Sequence, residues 1–108
     1  MDKEYKIKTG KNALQNWELL ESYKNHPNFL FFHLSSFPSC FVIWENDEEN
    51  PKKEDIEKVA RVCLENTKYK KIRGIKVDYT RIGNVKRGDK PGEIYYISER
   101  KVKPIKLD

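Results

Sequence analysis

Phe29-Leu30-Phe31-Phe32-His33-Leu34, Ser35-Ser36-Phe37-Pro38-Ser39, Cys40-Phe41-Val42-Ile43-Trp44: this stretch decides the fold. The two apolar runs are too short for buried helices. They are rich in aromatic and β-branched side chains, which suit a pleated surface. The Ser/Pro segment between them has hairpin length. Apolarity is continuous rather than alternating, so both faces of these strands must be covered, and the pair belongs at the centre of a sheet.

Upstream, residues 4–9 alternate weakly and predict a short first strand that Gly10 ends. Asn12, with Gln15 three residues on, has the form of a relaxed capping box. It opens a helix to about Tyr23 whose inner face carries Ala13, Trp17 and Leu20 at helical spacing. His26-Pro27-Asn28 stops it.

Downstream, the acidic stretch Glu45–Asn50 reads as a surface loop. Asn50-Pro51 suits a cap and first helical position, predicting a second helix to about Glu65. Its stripe is Ile56, Val59, Ala60 and Cys63. Ile75, Val77 and Tyr79 alternate with Lys76, Asp78 and Thr80, a half-buried strand. Gly83-Asn84 and Gly88–Gly92 are turn signals. Residues 94–98 and 102–107 are expected to pair as a hairpin around Glu99-Arg100-Lys101. Pro104 confines the last strand to an edge or bulge. Strands and helices in this order predict an α+β fold over residues 1–108: one domain, a mostly antiparallel sheet with two helices packed on it.

Composition narrows the function. The 108 residues carry a formal charge of +5, unevenly placed. Residues 1–67 hold 9 basic and 12 acidic side chains, a net of −3, whereas residues 68–108 hold 13 and 5, a net of +8. A basic C-terminal half points to a polyanionic partner. Cys40 and Cys63 form no disulfide framework and read as small core residues. No apolar run reaches the ~20 residues of a bilayer span, so no membrane association is expected. Without a secretory leader or a disulfide set, the cytoplasm, with the nucleus as alternative, is the expected compartment. No Cys/His pair has metal-ligand spacing, no Gly-rich loop precedes a helix, and no acid–base constellation stands out. The expectation is a non-catalytic protein without cofactor or metal.

The binding signals are cationic and aromatic. Lys68, Lys70, Lys71, Arg73 and Lys76 form one basic group, and Arg81, Lys86, Arg87 and Lys90 another. Tyr79, Tyr95 and Tyr96 lie beside them, either as sheet packing or as rings for unpaired bases. Neither helix is basic enough for a major groove, so single-stranded or looped RNA fits better than duplex reading. Lys11, Asn12 and Asn16 surround a helix start, where an anion is favoured; Asn12 also has a capping role available. Asn16 has no evident structural duty in the sequence. His33 is either a packing residue or a ligand contact.

Several of these residues recur as short motifs in one order. They are Gly10-Lys11-Asn12 with Asn16, Phe32-His33, Val77-Asp78-Tyr79-Thr80, Asn84-Val85-Lys86-Arg87 and Pro91-Gly92-Glu93-Ile94. Together they resemble the NFACT-R domain, the RNA-binding module of ribosome-quality-control factors, over about residues 8–107. The resemblance implies tRNA or rRNA as partner, with ribosome association, and DNA as the alternative polyanion. The expected site has Lys11, Asn12 and Asn16 at phosphate or ribose, Arg81, Lys86 and Arg87 as a basic rim, and His33 and Tyr79 between them as base or sugar contacts. The chain departs from the family pattern at Phe29 and Phe31, which stand where Asp-x-Trp is usual, and at Phe41, which stands where a second His is usual. A protein-interaction adaptor using the basic edge near Arg100, Lys101 and Lys103 is the rival reading.

Overall fold

The two aromatic runs form adjacent central strands. In the computed structural model, which describes residues 5–35 and 39–107, they are β2 (Leu30–Leu34) and β3 (Val42–Trp44). Of the loop expected between them, residues 36–38 lie outside the described residues, as does residue 4 of the expected first strand. The other strands are β1 (Ile7–Thr9), β4 (Ile75–Arg81), β5 (Val85–Arg87), β6 (Ile94–Tyr96) and β7 (Lys103–Leu107). The helices are α1 (Ala13–Ser22) and α2 (Lys53–Glu65). The main sheet runs β1-β3-β2-β4-β7, every pairing antiparallel, and β5–β6 form a separate two-stranded ribbon. The fold is α+β with both helices packed on the sheet.

The helices cover opposite faces. Leu30, Phe32 and Leu34 of β2 point one way, with Val77 of β4, onto Ile56, Val59, Ala60 and Cys63 of α2. Phe31 points the other way, with Phe41 and Ile43, onto Leu20 of α1 and onto Ile82 and Val85 at the root of the ribbon. This two-sided burial is why β2 and β3 show no polar alternation: Phe31, Phe32, Val42 and Ile43 are fully buried.

Four sequence expectations need correction. The second helix starts at Lys53 after an extended Lys52 that makes no side-chain cap, not at Asn50-Pro51. Arg81 holds the carbonyls of Glu48 and Glu49, which keeps the approach to the helix extended. The segments at 94–98 and 102–107 do not pair with each other. β6 pairs with β5 and β7 pairs with β4 along the sheet edge, and a 3-10 turn at Glu99–Lys101 carries the chain between them. Asn84 sets this route: its amide donates to Ser98 O at 2.9 Å, and its Oδ1 accepts from Ser98 N at 2.8 Å. Ala13 is exposed, and α1 buries Asn16 together with the expected Leu20. Finally, Thr80, expected on the polar side of β4, is buried next to Phe31 and donates to Lys101 O at 3.0 Å.

Among the described residues, no helix is long and apolar enough to cross a membrane.

Candidate nucleic-acid interface

Four of the expected site residues converge at the start of α1. Lys11, Asn12, Asn16 and His33 line one shallow depression of about 420 Å³, together with Ser39, Cys40 and Gly92. Asn12 caps the helix, its Oδ1 accepting from Gln15 N at 2.9 Å. Gln15 returns a bond to the N–H of Lys11 at 3.1 Å, one residue earlier than a standard capping box. The Lys11 side chain is exposed. Gly92, at φ +88°, lets the chain lie against Ala13: a Cβ there would sit 2.9 Å from that of Ala13.

Asn16 has a structural duty that its sequence context concealed. It is buried, and its Oδ1 accepts the backbone N–H of Phe41 at 3.0 Å. His33 is half-buried, with its ring 5.6 Å from that of Phe41 in an edge contact. Its Nδ1 lies 2.8 Å from Leu34 O, and a carbonyl can only accept, so Nδ1 carries the proton. Burial outweighs that bond and the nearby Asp78 and lowers the imidazole pKa below 6.5, so the ring is neutral at pH 7 with Nε2 as an acceptor.

Lys86 and Arg87 occupy the β5–β6 ribbon on the same side of the main sheet as α1. Arg87 Nε meets Glu21 at 3.1 Å, and its guanidinium stacks over Trp17 at 5.0 Å. Trp17 in turn donates its indole N–H to Glu93 O at 2.8 Å, which ties the ribbon to the helix. Lys86 is exposed and pairs across the ribbon with Tyr95, whose ring is 55% exposed. Tyr96 is half-buried in the core and is unavailable for stacking; burial raises its phenol pKa.

Tyr79 and Arg81 lie elsewhere. Tyr79 pairs with Phe32, and His33 pairs with Asp78, so Tyr79 and His33 face opposite sides of the sheet. The Tyr79 ring stacks on Phe32 at 5.6 Å. Arg81 donates to Asn28 O and Glu48 O, each at 2.6 Å, and to Glu49 O at 3.2 Å. Its guanidinium is a loop anchor rather than a rim cation. Both residues border a groove of about 920 Å³ on the α2 side, whose rim includes Lys53, Arg100, Lys101 and Lys103. The groove was not foreseen, because its walls come from four separate segments.

Cys63 is buried, with its thiol 3.7 Å from Cys40 O; Cys40 and burial push its pKa up. Among the described residues no group of three His, Cys, Asp or Glu side chains could hold a metal.

No protein-family model matches the chain, and no curated protein matches it. It is similar to a solved structure described as the C-terminal of the fibronectin/fibrinogen-binding protein from Streptococcus suis. The identity is 28%, the TM-score 0.78, and the match covers 94% of this chain and 39% of that one.

Proposed function

We propose that this chain is a non-catalytic RNA-binding module that grips phosphates and unpaired bases on the face shared by α1 and the β5–β6 ribbon. The observation that carries the reading is convergence. Segments far apart in sequence, at residues 11–16, His33 and Pro91–Glu93, meet around one depression with an exposed cation, Lys11, and a neutral histidine acceptor. On the same side of the sheet, toward the C-terminal end of α1, Lys86 and Tyr95 stand together as an exposed cation and an exposed ring. Cations neutralise phosphates and rings accept bases. These are also the segments whose motifs resemble the NFACT-R domain, which points to tRNA or rRNA. Arg81 and Asn16 are structural in this reading.

The test is RNA affinity as a function of salt, measured by filter or gel assay. Lys86→Ala with Arg87→Ala should weaken binding and lower the slope of log K against log salt by about 1.4, two single-strand contacts' worth. Unchanged affinity and slope would remove the ribbon from the interface.

The name of the similar solved structure favours a second reading, a protein-docking module. That name belongs to a protein of which this chain matches 39%. Retention of this chain on immobilised fibronectin or fibrinogen, insensitive to nuclease, would favour it over RNA binding.

A further inference from the structure

The α2-side groove and the hollow beneath the ribbon are two parts of one path. Gly83 and Ile97 border both, so the two depressions meet over a saddle at the end of the sheet. Ile97 sits on that saddle with 57% of its surface exposed. Along the path the side chains are cationic. Lys24 and Lys86 flank the hollow, and Arg100, Lys101, Lys103 and Lys53 flank the groove, against one carboxylate on each side, Glu21 and Glu49. None of these six cations makes an ion pair with a described residue. Rings mark both ends: Tyr95 is exposed beside Lys86, and Tyr79 borders the groove, its hydroxyl without a hydrogen-bond partner among the described residues.

The geometry points to a single nucleic-acid strand that continues from the ribbon across Ile97 into the α2-side groove, so that one RNA strand wraps the end of the sheet and touches both of its faces. This rests on the RNA-binding reading and extends it to a second surface. Charge complementarity selects the occupant: a run of unpaired cations without fixed acceptors suits a repeating phosphate chain. An acidic peptide is disfavoured because the strand residues of the groove belong to the interior strands β2 and β4, and the free edge strand β7 enters it only at its first residue, Lys103, which leaves little edge for backbone pairing. An apolar saddle between rings suits the faces of successive bases, which need no sequence-specific partner.

The probe is a series of labelled oligouridylates of increasing length. Arg100→Ala, Lys101→Ala and Lys103→Ala together should lower the salt slope by about 2, three contacts' worth, for long oligomers. Oligomers too short to cross the saddle should bind the triple variant as they bind the parent. Lys101 serves the fold through its backbone, its carbonyl accepting from Thr80 and its N–H donating to Ser98 O, so the substitutions spare both bonds. Charge reversal of Arg100 and Lys101 alone, on the exposed 3-10 turn, is the second variant should the triple one unfold. If long oligomers keep their affinity and slope in these variants while Lys86→Ala with Arg87→Ala weakens them, the wrap is overturned and the ribbon interface stands. If neither set weakens binding, both fall. If the triple variant loses a captured protein but not the oligomer, the groove serves a protein and the wrap is again overturned.

Discussion

The side chain of Asn16 reaches from the first turns of α1 to the start of β3 and accepts the backbone N–H of Phe41 at 3.0 Å. The same chain segment is held a second time, because the N–H of Gly10 donates to Phe41 O at 3.2 Å. Gly10 is glycine because Asn16 lies over it: a Cβ there would come within 2.1 Å of Asn16 Oδ1. The Gly-Lys-Asn-x-x-x-Asn pattern is therefore two things at once. Its glycine and second asparagine build the joint between α1 and the sheet, and its Lys11 and Asn12 face the depression.

Asn16→Ala should therefore act on stability. It leaves the buried N–H of Phe41 without a partner, at a cost of about 1–3 kcal/mol. Asn16→Asp keeps an acceptor oxygen in place and should cost less. Urea denaturation of both variants checks this. Under native conditions the folded fraction of Asn16→Asp should bind RNA as the parent does. A large affinity loss at unchanged stability would make Asn16 a ligand contact after all.

Arg81 makes a parallel prediction. Arg81→Lys removes the fork that reaches Asn28, Glu48 and Glu49 at once, since an ammonium cannot span them. A loss of about 1.5–3 kcal/mol is expected for hydrogen bonds from a charged donor. Limited proteolysis should show faster cleavage in the acidic segment 45–50. The salt slope of RNA binding should not move; a fall of about 0.7 would return Arg81 to the phosphate rim.

The frame was legible in the sequence and its joints were not. The aromatic runs of β2 and β3, the stripe of α2 and the cap at Asn12 follow from periodicity and local chemistry, which a sequence displays. Asn16, Arg81 and Asn84 act on partners 25, 32 to 53 and 14 residues away, and such polar pairings leave no periodic trace. Tyr79 is instructive. Its alternation with Ile75 and Val77 already assigned it to the covered face, and the structure keeps it there against Phe32. Reading it as a ring beside His33 required the other face of the strand. The basic residues were countable in advance, but which of them share a surface depended on the course of residues 94–107, where a hairpin signal lost to the Asn84 latch.

Two tyrosine–carboxylate pairs give the fold an alkaline signature. Tyr5 donates to Asp55 at 2.7 Å and Tyr23 to Glu45 at 2.9 Å, and both phenol pKa values are pushed up to about 12. For Tyr5 the bond to Asp55 dominates; for Tyr23 burial comes first and the bond to Glu45 second. The folded state then holds protons that the unfolded chain releases from about pH 10. The stabilisation is complete below pH 10 and is lost as pH rises toward 12. Denaturation midpoints measured across that window should fall with pH. In Tyr5→Phe and Tyr23→Phe the fall should be shallower, although both variants start lower at neutral pH.

His33 carries the opposite sign. Its folded pKa lies below 6.5 because burial disfavours the cation, so its contribution to stability is present above pH 6.5 and fades as pH falls through the folded value. The facing groups are Asp78 across the strand pair, Lys11 and Glu93 around the depression, and Cys40 beside it. A proton NMR titration should place the imidazole midpoint below 6.5, with the neutral tautomer protonated at Nδ1. A midpoint above 6.5 would mean that the bond to Leu34 O and the Asp78 charge together outweigh burial, and would remove the neutral acceptor from the site.

Tyr95 offers the cleanest separation of binding from folding. Its ring is 55% exposed, opposite Lys86 on a short ribbon, and supports little of the core. Tyr95→Ala should leave the denaturation midpoint close to that of the parent. If a base stacks on the ring, the same substitution should cost about 1–3 kcal/mol of binding, roughly 5- to 150-fold in affinity for single-stranded RNA. Tyr95→Phe keeps the stacking face and should bind as the parent does. Equal loss in Ala and Phe would assign the effect to the hydroxyl. No loss in either would leave the ribbon a purely electrostatic contact, with Lys86 and Arg87 acting without a ring between them.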